Sequence, residues 1–295
     1  MPIHLLLLCV AVSACCQATN AIFQKKAQSR QVERVVDSVL YTLILSACQS
    51  VILAIVPPYN PWPSAPGFYG YTTFFSVLFY VQMVFHMLAF RLGPATLTST
   101  LRNLYTLVPI ILGLFLWNDP LKLTTVLGVG LFLASLFLNK RSDYSVAGEQ
   151  KKTSPKWLFA MIGLIVFAGL AASTSKQVML VYEGVEKTYL LLYNLIVLVL
   201  GAPLAILYRK RLWRMLRDRR FLLFVAGSSL CLCAADLLYV YLVARFTTSF
   251  YMPLNVTSVM VAVLVFSRVF LKEKISRRSL LATSLCVVAV VILAL

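Results

Sequence analysis

The fold is decided by residues 82–128, QMVFHMLAFRLGPATLTSTLRNLYTLVPIILGLFLWNDPLKLTTVLG, because residues 236–282 repeat their plan at a constant offset of 154 residues. In each copy an apolar segment ends at an arginine, a short turn follows, and an acidic residue opens the turn to a third segment. The offset is defined by four residue pairs: Leu88 with Leu242, Arg91 with Arg245, Asp119 with Glu273, and Leu127 with Leu281. This order of features indicates an internal repeat, in which one structural unit occurs twice in the chain.

The composition indicates an integral membrane protein, since 60% of the residues are hydrophobic and only 13% are charged. The hydrocarbon core of a bilayer is ~30 Å thick and needs ~20 apolar residues per helix. A lipid-exposed backbone must satisfy its own hydrogen bonds, so the segments should be helices. We predict ten spans, at residues 3–23, 36–56, 70–90, 95–116, 121–138, 156–175, 187–208, 221–243, 248–270 and 276–294.

The net charge of +17 does not indicate nucleic-acid binding, because the basic residues lie in the short connections between spans. The connections on one side hold 22 Lys and Arg residues, and those on the other side hold 4. Basic connections face the cytoplasm. The bias therefore predicts both termini outside, and it places the basic stretch at 208–220 on an anionic inner leaflet.

The first apolar segment has an alternative interpretation as a signal peptide, since residues 12–15 resemble a lipoprotein cleavage site. No Lys or Arg precedes this segment, as a signal peptide would require. Its removal would also leave nine spans and break the repeat. We therefore keep it as the first span.

The chain shows no signature of cofactor or metal chemistry. The seven cysteines all lie in predicted spans, where they fit as small apolar residues, and the connections offer no pair to oxidise. The only histidines are His4 and His86, and no acidic cluster lies within a span. No Gly-rich loop is present to hold ATP phosphates. We expect no cofactor, no metal and no enzyme activity.

The duplication predicts transport. Each half, 1–145 and 146–295, holds five predicted spans, and because five is odd the second copy enters the membrane inverted. Inverted repeats give one chain two nearly equivalent packings that open to opposite sides, which is the basis of alternating access. A duplicated but inert scaffold is the alternative.

The turn Ala-x-Arg-x-Gly-Pro at residues 89–94, the turn containing Asp119, and the segment LKEKIS at 271–276 resemble the drug/metabolite transporter superfamily, in its EamA-like branch. The resemblance implies ten helices around a cavity lined by the third, fourth, eighth and ninth spans. At position 119 the family prefers Glu, where this chain has Asp119. The resemblance also implies both termini in the cytoplasm, whereas the distribution of Lys and Arg in this chain predicts both termini outside.

The function implied is secondary active transport of a small polar metabolite or drug, by export or exchange, with proton coupling left open. A lipid or lipid-linked sugar flippase is the alternative, and a membrane-embedded enzyme is a weaker one. The expected partners are a small-molecule substrate and membrane lipids, including anionic lipids at the basic face. A homodimer is left open, and we expect a bacterial cytoplasmic membrane.

Two charged residues stand out because they lie well inside predicted spans, away from the span ends: Arg102 and Asp236. Such a residue costs at least ~2.5–3.5 kcal/mol on insertion scales, so it faces a cavity or a partner. Arg102 could attract an anionic group while Asp236 or His86 titrates. Alternatively, Arg102 and Asp236 neutralise each other or extend to the membrane surface. The candidate substrate-binding residues are Arg102, Asp236, His86, Gln82, Asn103, Asn255, Thr257 and Tyr239.

Overall fold

The computed structural model describes residues 3–31, 35–56, 62–92, 98, 101–119, 122–143, 154–270 and 277–294, and the secondary structure of these residues is helical. A four-residue 3₁₀ turn at Asn103–Thr106 precedes α4. The helices are α1 (Ile3–Gln31), α2 (Val35–Ile55), α3 (Pro66–Leu92), α4 (Leu107–Leu116), α5 (Leu123–Asp143), α6 (Pro155–Val181), α7 (Glu186–Leu207), α8 (Arg209–Arg217), α9 (Arg219–Val243), α10 (Thr248–Phe270) and α11 (Arg277–Ala294).

The helices fit a multi-pass membrane protein. Within the described residues, seven helices are long and apolar enough to cross a bilayer, and three shorter apolar helices lie at Asn103–Leu116, Leu123–Ser135 and Thr283–Leu293. Large apolar side chains face outward, among them Phe115, 78% exposed, and Leu123, 75% exposed. An outward apolar surface is what a lipid environment accommodates. The prediction of an all-α membrane protein is confirmed.

The chain divides into two compact units that do not coincide with its halves. Unit 1 consists of Met1–Tyr80 and Thr174–Ala244, and unit 2 consists of Val81–Ser173 and Arg245–Leu295. The boundaries fall inside α3 and α6. Each unit therefore combines helices from both predicted repeats, and the division at residue 145 remains a prediction about sequence ancestry.

Unit 1 is built on close helix contacts at small residues. In this unit α1 packs along α9, while α2 packs against α7 and α9. The Ser13 hydroxyl donates to the Ala235 carbonyl at 3.3 Å. Gly201 in α7 faces Leu43 of α2 so closely that a Cβ at residue 201 would lie 2.2 Å from a Leu43 methyl carbon. Small residues allow such an approach where helices pack in lipid.

Unit 2 contains the glycine-rich part of α6. A Cβ at Gly163 would lie 2.6 Å from the Phe85 ring, and a Cβ at Gly169 would lie 2.3 Å from Val108 Cβ. Small residues in α6 therefore allow close helix contacts. Elsewhere in unit 2, α11 packs against α5 and α10. One buried apolar cluster contains Ala89, Trp157, Ala160, Met161 and Leu164.

The fourth predicted span differs from a uniform helix. The structure places a 3₁₀ turn at Asn103–Thr106 before the ten-residue α4. Pro109 lacks the N–H that would donate to the Tyr105 carbonyl in a regular helix. A tighter turn at this point is one way in which the backbone accommodates the missing donor. The glycine–proline turn at 93–97 and the acidic turn at 271–276 lie outside the described residues.

Candidate functional site

In unit 1 the Asp236 carboxylate lies within α9 among uncharged polar neighbours. Gln49 of α2 donates from Nε2 to Asp236 Oδ2 at 3.2 Å. Tyr193 of α7 contributes a second hydrogen bond to the same carboxylate. The Cys233 thiol, one helical turn earlier on α9, lies 3.8 Å from the Gln49 carbonyl. These residues, Gln49, Asp236 and Tyr193, form what we call the carboxylate cluster.

Aromatic rings pack beside the carboxylate cluster. The Phe75 ring of α3 lies 5.2 Å from the rings of both Tyr189 and Tyr193, and the Phe79 ring lies 5.8 Å from that of Tyr193. Tyr189 is fully buried, and the Ser175 side chain is the hydrogen-bonding neighbour of its hydroxyl. The rings of Phe75, Phe79 and Tyr189 therefore pack against Tyr193, a member of the carboxylate cluster.

A buried amide lies on the same helix, at Asn194. Asn194 is 1% exposed, and its Nδ2 donates to the Leu190 carbonyl at 2.8 Å. Its Oδ1 has no hydrogen-bond partner. The Asn194 side-chain oxygen therefore lacks a standard hydrogen bond within α7.

In unit 2 the Arg102 guanidinium interacts electrostatically with His86 of α3 and with Tyr105. Arg102 immediately precedes the 3₁₀ turn, in which the Thr106 hydroxyl donates to the Asn103 carbonyl at 2.9 Å. Tyr105 in turn interacts electrostatically with Tyr251 of α10. We call Arg102, His86 and Tyr105 the arginine cluster.

The other candidates divide between the two units. Gln82 is half-buried on α3, four residues before His86 and so on the same side of the helix. Asn255 and Thr257 are buried in α10, and Thr257 Oγ1 makes no hydrogen bond of standard geometry. Tyr239 is half-buried in unit 1, three residues after Asp236 on α9. Asp236 and Tyr239 thus belong to unit 1, while the other six candidates belong to unit 2.

Asp119 has a capping role in unit 2. Its Oδ2 accepts the backbone N–H of Thr248 at 2.7 Å and a short hydrogen bond from the Thr248 hydroxyl. The preceding residue, Asn118, has φ 51°, a left-handed conformation that asparagine tolerates better than most residues. Because the first N–H groups of a helix lack partners within it, the carboxylate stabilises the start of α10.

The basic stretch after α7 forms the short helix α8. Arg211 donates to Asp37 Oδ1 at 2.9 Å, which fixes α8 to the start of α2. Exposed residues of this stretch include Arg209, Lys210, Trp213, Arg214 and Arg217. Met215 is buried. The helix therefore has a protein-facing side and an exposed basic side that carries a tryptophan.

Asp218 separates α8 from α9 and caps α9. Its Oδ1 accepts the N–H groups of Arg220 and Phe221 at 3.0 and 3.2 Å. Its Oδ2 accepts from Gln31 at 3.1 Å and from Arg30 at 3.3 Å. The backbone N–H of Phe221, followed by Gln31 and Arg30, holds the pKa of Asp218 below its usual value.

Sequence reasoning missed Gln49. It is 3% exposed and donates a hydrogen bond to Asp236 at 3.2 Å. The search considered charged residues inside predicted spans, and Gln49 carries no charge. The residue 154 positions after it, at the repeat offset, is Pro203, which is not a polar counterpart. A search for every polar residue in the middle of a span would have found it.

One protein-family model matches the N-terminal part of the chain. Residues 4–140 match the model of the EamA-like transporter family. The match begins in α1, so the first predicted span lies within the family domain. The predicted EamA-like resemblance is confirmed. A search of curated proteins finds no match.

The fold as a whole is shared with solved structures. One crystal structure, titled only as that of a protein, is similar with a TM-score of 0.68 at 16% sequence identity. The similarity covers 97% of this chain and 95% of the other. At this identity the similarity concerns the fold alone.

Proposed function

We propose, from the EamA-like domain that residues 4–140 carry, that this chain is a secondary active transporter that exports or exchanges a small polar metabolite or drug. The family match is the observation that carries the proposal. The polar clusters in both units support it, because polar and ionisable groups inside the bilayer are expensive and mark substrate or ion pathways.

The proposed architecture is ten spans in two inverted repeats, 1–145 and 146–295, working by alternating access. The helix order supports it. The starts of α1, α2, α3 and α5 precede those of α6, α7, α9 and α11 by about 154 residues, the offset of the repeated sequence. The three shorter apolar helices would supply the fourth, fifth and tenth spans. Helix α8 is additional to this plan and lies between the seventh and eighth spans.

The arginine cluster supports an anionic or carboxylate-bearing group on the substrate. Arg102 keeps its charge at all physiological pH values and offers planar donors that fit carboxylates. The Thr257 hydroxyl, buried in the same unit without a standard hydrogen bond, supplies a further polar contact. We propose a substrate that carries both a negative charge and neutral hydrogen-bonding groups.

The proposed location is a bacterial cytoplasmic membrane with both termini outside. The support is the concentration of basic residues on one side of the predicted topology. The same orientation would place α8 at the inner surface, where its exposed basic side meets anionic head groups. Trp213 is 64% exposed and suits the head-group region.

The test begins with a thermal-stability screen of the purified protein against amino acids, nucleosides, sugars and cationic drugs. A compound that raises the melting temperature is then radiolabelled and offered to proteoliposomes. We expect net movement or exchange by the unaltered protein. Arg102→Ala should abolish it, and Arg102→Lys should restore part of it, because lysine keeps the charge but not the planar donors.

The matched control is Arg214→Ala, which removes an exposed arginine of α8 and should leave transport unchanged. All variants must reach the membrane in equal amounts. If no compound moves, but a fluorescent phospholipid crosses the bilayer in the same vesicles, the protein is a flippase instead. Chemical conversion of the compound without net movement would favour an enzyme.

A further inference from the structure

The carboxylate cluster surrounds an acidic group with partners that carry no charge. Within the described residues, Asp236 accepts from the Gln49 amide and the Tyr193 hydroxyl, and no Lys, Arg or His side chain hydrogen-bonds to it or forms an ion pair with it. An arginine or lysine partner would hold the carboxylate in its ionised form. Among the residues that the structure describes, this carboxylate has no such partner, and it lies inside a predicted span. Because no neighbouring cation keeps this carboxylate ionised, the group can bind and release a proton.

The two partners can serve both protonation states of Asp236. The Gln49 N–H donates to Oδ2 whether the carboxyl group is ionised or neutral. The Tyr193 hydroxyl can donate to the carboxylate and can accept the O–H of the carboxylic acid. A proton can thus arrive or leave while both hydrogen-bonding neighbours stay in place.

The titratable groups that interact with Asp236 lie on α7 and on α9 itself. Tyr189 and Tyr193 come from α7, Cys233 lies on α9 itself, and Cys48 of α2 lies near Cys233. From α1, Cys16 lies near Cys231, further from the carboxylate along α9. Tyrosines and cysteines are ordinarily neutral at neutral pH. Asp236 is therefore the acidic member of this group.

We propose that Gln49, Asp236 and Tyr193 form the proton-binding site that couples a proton gradient to transport. Uptake forms an O–H bond on the Asp236 carboxylate with a proton from hydronium, and release breaks that bond, so no electrons are transferred. Gln49 and Tyr193 are positioning residues that hold the carboxyl group in both states. The inference rests on the proposed transport function and adds the coupling ion to it.

The direct test is infrared spectroscopy of the purified protein, because it needs no substrate. On acidification from mildly alkaline buffer, a carbonyl band of a protonated carboxylic acid should appear and should reverse when the pH is raised. Asp236→Asn should remove that band. Gln49→Leu should shift the band, because the hydrogen bond to Oδ2 alters the carbonyl stretch.

The matched control is Asp37→Asn, which removes a buried carboxylate of unit 1 that is paired with Arg211. This variant should keep the band of Asp236. If no band that depends on Asp236 responds to pH, the site does not exchange protons and the proposal is wrong. If Asp236 had only a structural role, no pH-dependent band would depend on it. This outcome is distinct from a loss of stability in Asp236→Asn.

A second experiment measures transport. Proteoliposomes that contain a pH-sensitive dye are incubated with the compound identified by the stability screen. Movement of the compound by the unaltered protein should carry protons, and Asp236→Asn should abolish the proton signal. Movement of the compound without protons would overturn the coupling while leaving the transport function intact. Absence of any movement would count against the transport function, and the infrared titration would still test the site.

Discussion

The Asp119 carboxylate accepts the backbone N–H of Thr248 at 2.7 Å, and this bond joins the turn after α4 to the first residue of α10. Thr248 is 1% exposed, so its N–H has no access to solvent. A carboxylate at a helix N-terminus is also favoured by the helix dipole. The acidic residue of the repeated turn therefore holds two sequence-distant helices of unit 2 together.

Asp119→Ala should destabilise the protein by about 1–3 kcal/mol, because it leaves a buried donor without its charged acceptor. Asp119→Asn should cost less, since an amide oxygen still accepts the bond. The measurement is thermal unfolding in detergent. Glu183→Ala is the control, because Glu183 is exposed and should be neutral. Equal melting temperatures for Asp119→Ala and the unaltered protein would contradict the capping role.

Two glycine-to-alanine substitutions should act in opposite directions. A Cβ at Gly169 would lie 2.8 Å from the Tyr105 carbonyl oxygen, whereas a Cβ at Gly130 would have nothing within 4 Å. Gly169→Ala should destabilise by about 1–3 kcal/mol through overpacking. Gly130→Ala should stabilise by up to about 1 kcal/mol, since glycine is a poor helix former. Thermal unfolding of both variants tests the pair, and a stabilised Gly169→Ala would refute the close contact.

Helix α8 should bind anionic lipid through its exposed basic residues. Replacing Arg209, Arg214 and Arg217 by glutamine removes three charges, each worth about 1 kcal/mol near an anionic surface. The unaltered protein should be more stable in phosphatidylglycerol than in phosphatidylcholine nanodiscs, and the triple variant should lose that difference. Lys122→Gln, at an exposed basic residue of the opposite predicted side, should keep it. An unchanged lipid preference in the triple variant would rule out this surface.

The Asp218 cap should add an acid-sensitive contribution to stability. Its pKa is lower in the folded state, so its contribution is complete above the unfolded-state pKa and is lost as the pH falls through the folded value. Asp218→Asn should therefore reduce the difference in stability between neutral and acidic buffer. Denaturation of both proteins at the two pH values measures it. An unaltered pH dependence would mean that the ionised form of Asp218 contributes nothing.

The basic residues predict where the C-terminus lies. A reporter that is active only in the cytoplasm should stay inactive when fused after Leu295, because basic connections remain inside. The same reporter inserted in the connection 144–153 should be active. An active C-terminal fusion with an inactive inserted one would reverse the topology.

The helices could be predicted from sequence because each long apolar run imposes a helix once it lies in lipid. The predicted spans at 36–56, 187–208 and 248–270 nearly match α2, α7 and α10. The 3₁₀ turn before α4 was not predicted, since it depends on local backbone geometry near Pro109. Hydropathy measures only how apolar a segment is, so it does not report that geometry.

The candidate site was predicted only in part. Arg102, His86 and Asp236 were found because charged or titratable groups in a span are costly. Gln49 was missed because an uncharged amide costs less, and because Pro203 at the repeat offset gives it no polar counterpart. The bond between Asp119 and Thr248 joins residues 129 positions apart, a tertiary contact that sequence pattern does not encode.

The 3₁₀ turn at Asn103–Thr106 fixes the angular register of Arg102 relative to α4. Each 3₁₀ residue advances the chain by about 120°, against about 100° in an α-helix, so four residues add about 80° of rotation. If the turn became a regular α-helix, the Arg102 side chain would rotate by about 80° around the axis of α4, without any change in the sequence. The direction in which Arg102 points from the helix axis is thus set by the backbone pitch of the turn that follows it.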